Sequence, residues 1–133
     1  MKYRKVNAKY RLAEKEYFIT PIHPHVDIIT KYITLKTSGE MILDDFIWDG
    51  ASGPAIDFRF SKRGSAFHDA CCWLMRNGYL DKDVYLKIVN DFTYKIWRID
   101  KMPWIMAKWR VRILNKLDFY ADPKNKAKIY TAP

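Results

Sequence analysis

Four polar residues near the middle of the chain have the types that acid–base and nucleophilic chemistry needs: Asp49 and Ser52 in WDGASGPA, and His68 and Asp69 in AFHDACCWLM. Asp49 and Ser52 stand three apart among Gly50, Ala51 and Gly53, small residues that let the backbone approach a ligand closely. His68 could act as a general base near neutral pH, or as a metal ligand through its neutral imidazole. With Asp49 or Asp69 orienting that imidazole and Ser52 or a bound water as nucleophile, the set is hydrolase-like. A metal version would use His68, Asp69 and Asp49 as ligands to a divalent cation, with Asp91 as a further oxygen donor. The structural alternative is an Asx or Ser turn at Asp49 and Ser52, with His68 a buried histidine hydrogen-bonded to Asp49.

Loops and helices must position these groups. Gly, Ser and Pro are dense between Trp48 and Gly64, which predicts a structured loop over 48–64. Ser65 is the expected cap of the next helix, and Gly78 its stop. That placement puts His68 and Asp69 in a first turn, beside unpaired N–H groups and the positive dipole end, where small anionic ligands such as nucleotides could bind. A second helix is expected from Asp81 or Asp83 to Ile99, with Val84, Ile88, Phe92 and Ile96 as its apolar stripe. A third, with Pro103 in its first turn, carries Ile105, Met106, Trp109, Ile113, Leu114 and Leu117. Helices thus fill 65–120, and a basic tail occupies 121–133.

Residues 16–49 are rich in β-branched and aromatic types, and Ser38-Gly39 marks a hairpin turn between ITL and MIL. Residues 1–15 alternate too irregularly to assign, with Tyr3, Val6, Tyr10 and Leu12 anchoring an arm or a short helix. Strands first and helices after predict an α+β fold: a small antiparallel sheet from the N-terminal half packed against about three C-terminal helices, in a single domain over 1–133.

With 133 residues, 49% of them hydrophobic, the chain can bury a core without disulfides or a structural metal. Cys71 and Cys72 are neighbours in an expected helix, where they diverge and cannot bridge comfortably, so they are expected as buried thiols in a reducing compartment. No run reaches the roughly 18 apolar residues of a membrane span, and the charged N-terminus lacks a signal-peptide core. The net charge of +9 would steer the protein toward nucleic acid, anionic lipid or an acidic protein surface. In KMPWIMAKWRVRILNKL, Lys108, Arg110, Arg112 and Lys116 interleave with Trp104, Trp109, Ile113 and Leu117. That suits an interfacial helix or a nucleic-acid surface, against the simpler reading of a core helix whose cations extend to solvent.

The loop WDGASGPA followed by the helix AFHDACCWLM resembles DUF1353, a family of small bacterial and phage-encoded proteins of unknown function. The likeness runs from about Leu35 to Leu117. Asp49, Gly50, Ala51, Ser52 and Pro54 fall on its loop motif, His68 and Asp69 on its helix motif, and Asp91 on a later acidic position. Trp48 stands where the family usually has threonine, and Asn90 where alanine usually precedes that acid. The order of His23, His25, His68, Asp69 and Asp91 also resembles that of HD-type phosphohydrolases, an all-helical fold, although His23 and His25 lie in the strand-rich segment. The DUF1353 likeness implies a phage-encoded accessory protein, acting in the host cytoplasm or the virion with other phage proteins as partners. Its polar cluster is then either a hydrolase-like site or a structural network in a head or tail component.

Overall fold

The computed structural model describes residues 1–6, 9–48 and 59–116. They form seven short strands in two antiparallel sheets, then three helices, an α+β architecture. Strands up to Trp48 and helices from Arg59 belong to two compact units.

In the strand unit, β1 (Tyr3–Val6), β2 (Lys9–Leu12) and β7 (Ile47–Trp48) make a three-stranded sheet in that order. The N-terminal segment is therefore a pair of strands, not an arm or a short helix. The pairing of Tyr10 with Trp48 brings the rings of Tyr3, Tyr10 and Trp48 into one cluster, with centroids 5.5 to 6.1 Å apart. Arg11 holds Asp45 through two hydrogen bonds of 2.5 and 2.6 Å.

The second sheet has the order β3 (Glu16–Ile19), β6 (Glu40–Leu43), β5 (Ile33–Leu35), β4 (Ile28–Ile29). Register sorts its side chains by face, because strand residues alternate sides. Phe18, Met41, Leu35 and Ile28 line up across the four strands and are all buried. The next row, Tyr17, Ile42, Thr34 and Ile29, lies on the opposite face, where Tyr17 and Ile29 are exposed. Gly39 closes the β5–β6 hairpin at φ 95°, a conformation that glycine adopts without the steric cost of a Cβ. A Cβ there would also collide with the carbonyl oxygen of Thr20, which the Gly39 backbone approaches closely.

The helical unit opens with a 3₁₀ turn, Arg59–Ser61, followed by α1 (Lys62–Arg76), α2 (Lys82–Ile99) and α3 (Trp104–Lys116). Asp81 caps α2 by accepting from the Asp83 N–H at 2.9 Å. Gly78, with φ 79°, follows the end of α1. Gly64 lies within α1 and not in a loop, because the indole of Trp97 rests where its Cβ would be. Trp97 then anchors an apolar cluster with Met102, Ala107, Val111 and Leu114, and Phe60, Tyr94 and Met106 pack around it. Among the described residues no helix is long and apolar enough to cross a membrane.

Candidate functional site

Helix α1 begins three residues before the expected cap. Ser61 occupies the cap position without a side-chain cap bond, and the Ser65 hydroxyl instead donates back to the Ser61 carbonyl at 2.7 Å. His68 consequently lies six residues beyond Lys62, in the second turn, past the reach of the free N–H groups and the dipole end. The anion-binding expectation built on a first-turn histidine loses its geometric basis.

The imidazole of His68 is only 5% exposed. Its Nε2–H donates to Asn90 Oδ1 at 2.8 Å, since a carboxamide oxygen can only accept. Asn90, fully buried on α2, passes the connection on: its Nδ2 donates to Asn115 Oδ1 on α3 at 2.7 Å. On the other side of the ring, Nδ1 keeps its lone pair and faces the Cys72 thiol at 3.7 Å, one turn along α1. One polar chain, Cys72–His68–Asn90–Asn115, therefore joins all three helices.

Burial dominates the electrostatics of this chain. It drives the His68 pKa from 6.5 down to about 4, against a smaller upward pull from the hydrogen bond to Asn90. His68 is neutral at pH 7 and a weak proton acceptor. Burial also raises the Cys72 thiol far above its usual range, and the Asp69 carboxylate adds to this while Arg76 opposes it. Cys71, buried beside it, is raised as well. Both cysteines are free, buried thiols, as the sequence led one to expect.

The other expected site residues are dispersed. Asp69 is half-buried on α1 next to His68. Asp91 turns to solvent and pairs with Lys87 at 3.0 Å, one helical turn away. The buried face of α2 is Val89, Asn90, Thr93, Ile96 and Trp97; of the expected stripe Ile96 is buried, Ile88 and Phe92 are half-buried and Val84 is exposed. His23 and His25 are exposed in the strand unit, with His23 Nδ1 3.0 Å from the Thr37 carbonyl oxygen. Asp49 and Ser52, with Gly50, Ala51, Gly53 and Pro54, lie outside the described residues, as does the 121–133 tail. Among the described residues no group of three or more His, Cys, Asp or Glu side chains could hold a metal ion.

The residue that sequence reasoning missed is Asn90. Its signal was a carboxamide one position before Asp91, in phase with Thr93 and Trp97 on the buried face of α2. No family model, curated protein or solved structure matches this chain.

Proposed function

We propose that the protein is a non-catalytic accessory component of a phage, in the virion or its assembly, that acts by binding other proteins. The carrying observation is His68: neutral, buried and tied through Asn90 to Asn115, it serves to lock three helices together. Fully satisfied buried polar networks specify one packing arrangement without any reaction. The likeness to DUF1353 at Asp49 to Pro54 and at His68-Asp69 supports the phage origin, and with it action in the host cytoplasm or the virion. A surface suited to a protein partner is the outer face of the four-stranded sheet, where Ile19 and Ile29 are each 74% exposed beside Tyr17.

The hydrolase-like reading stands second, and one feature favours it. Thiol, imidazole and carboxamide follow one another along Cys72, His68 and Asn90, the order that Cys-His-Asn nucleophilic sites use. Against it, the thiol is held protonated and the pair is buried, whereas a reactive cysteine needs a lowered pKa and access. Purification of the tagged chain from phage-producing cells, together with melting of His68→Ala, separates the two. Stable co-purification with phage structural proteins and a large melting-temperature loss support the binding role. Turnover of an ester or amide substrate that His68→Ala or Cys72→Ala abolishes, with the fold retained, would overturn it.

A further inference from the structure

Helix α3 is apolar on two sides. One side, Ala107, Val111 and Leu114 with the buried Arg110, belongs to the core of the helical unit. The opposite side exposes Trp104 (55%), Ile105 (66%) and Trp109 (50%), large apolar side chains that a helix needing only one packed face would not carry. At 100° per residue, Trp104, Lys108, Arg112, Ile105, Lys116 and Trp109 fall in that order across an arc of about 140°. The cations run down the middle of the arc and the tryptophans flank it.

The charge on this face is of one sign. From Lys101 to Lys116 there are five Lys and Arg residues and no carboxylate. Arg110 is buried, its guanidinium 5.8 Å from the Trp97 ring centroid. Among the described residues none of Lys101, Lys108, Arg112 and Lys116 is in an ion pair. Lys108 instead lies over the Trp104 ring, 5.9 Å from its centroid. A polyanion is the partner this charge fits.

We propose that the exposed face of α3 binds single-stranded nucleic acid, with Lys108, Arg112 and Lys116 on successive phosphates and Trp104 and Trp109 stacked on bases. The three cations recur every fourth residue, about 6 Å apart along the helix axis, a line along which a phosphate backbone can run. Flanking indoles offer the flat faces on which unpaired bases stack, whatever their sequence. A duplex keeps its bases stacked on one another and leaves the tryptophans without a partner. An anionic membrane fits less well, because an interfacial helix separates its cations from its apolar sector. Here, burying Trp104 and Trp109 in lipid would carry Lys108 and Arg112 in with them. The inference goes beyond the protein-binding role proposed above and rests on side chains outside the His68 network, so either can fail without the other.

Fluorescence anisotropy with a labelled thymidine oligonucleotide, titrated with the full chain at low and moderate salt, tests it. Binding should weaken steeply as salt rises, because each phosphate contact releases counterions. Trp109→Ala should weaken binding about 10-fold, as expected for one lost base stack. The double variant Lys108→Glu/Arg112→Glu should abolish binding with an unchanged melting temperature, since neither side chain is in the core. A duplex of equal length should bind more weakly than the single strand. Three results would each overturn the proposal: no binding at low salt, unchanged affinity in the double charge reversal, or binding to phosphatidylglycerol vesicles without binding to the oligonucleotide.

Discussion

Acidification should destabilise the fold through His68, by an amount set by its burial. In the unfolded chain the imidazole titrates at its ordinary 6.5, whereas the folded protein resists protonation until about pH 4. Below 6.5 the unfolded state therefore binds a proton that the folded state excludes. Stability falls as pH drops through that window and levels off beneath it. At about 1.4 kcal/mol per pH unit, the whole window is worth about 3 kcal/mol, a large part of the 5 to 15 kcal/mol typical of a domain's total, roughly speaking. Carboxylates also titrate in acid, so the contribution of His68 is isolated by comparison with His68→Gln. That side chain keeps an N–H donor for Asn90 Oδ1 and cannot titrate. Urea unfolding of both proteins at about pH 7 and about pH 4.5 gives the four stabilities needed. Wild type should lose about 2.5 kcal/mol more than His68→Gln between the two pH values. Equal losses would refute the reasoning, because they would mean that folded His68 takes up its proton as freely as in water.

Three further substitutions probe the helical unit. Asn90→Leu should cost about 2 kcal/mol by leaving the His68 N–H without an acceptor, while His68→Leu/Asn90→Leu together should cost less than the sum of the single changes; strict additivity in urea midpoints would show that the two side chains do not act as a pair. Gly64→Ala should cost about 1 to 3 kcal/mol through collision with the Trp97 indole, and a melting temperature equal to wild type would count against that close packing. Asp81→Ala should lower stability by about 1 kcal/mol through loss of the α2 cap, with no change in unfolding free energy as the contrary result.

The hairpin at Gly39, the α2 limits near Asp81 and Ile99 and the burial of both cysteines were legible because each rests on local chemistry: a turn glycine, a capping carboxylate, small apolar thiols. Strand β1 was not, since Tyr3, Arg4 and Lys5 are all exposed and show no alternation, as is common where charged side chains blunt a sheet edge; β2 alternates over Lys9–Leu12, four residues only. The start of α1 was misjudged because Gly64 reads as a loop residue. Its reason for being glycine is tertiary, the indole of Trp97 contributed by α2. The resulting four-residue shift of the cap, from Ser61 to Ser65, placed His68 at a helix start and gave it an electrostatic role that its second-turn position does not support. Helix α3 hid its core face by being apolar on both sides: the sequence left open whether Trp104 and Trp109 pack or face outward, and of its apolar residues Leu114 is buried with Ala107, Val111 and Arg110 while Trp104, Ile105 and Trp109 are exposed. Asp91 drew attention as the ionisable group, yet helix phase directs its neighbour Asn90 inward. A neutral carboxamide satisfies a buried, neutral imidazole without burying a charge.

The state of His68 itself is the most direct test of the network as a structural tie. Long-range proton–nitrogen correlation spectra of the imidazole, recorded from about pH 8 to about pH 4, report both tautomer and protonation. The expected result is a single neutral Nε2–H form through neutral and mildly acidic pH, changing only as pH nears 4. A proton taken up near 6.5, or an Nδ1–H tautomer, would contradict the sealed tie to Asn90 and return His68 to the candidates for catalysis.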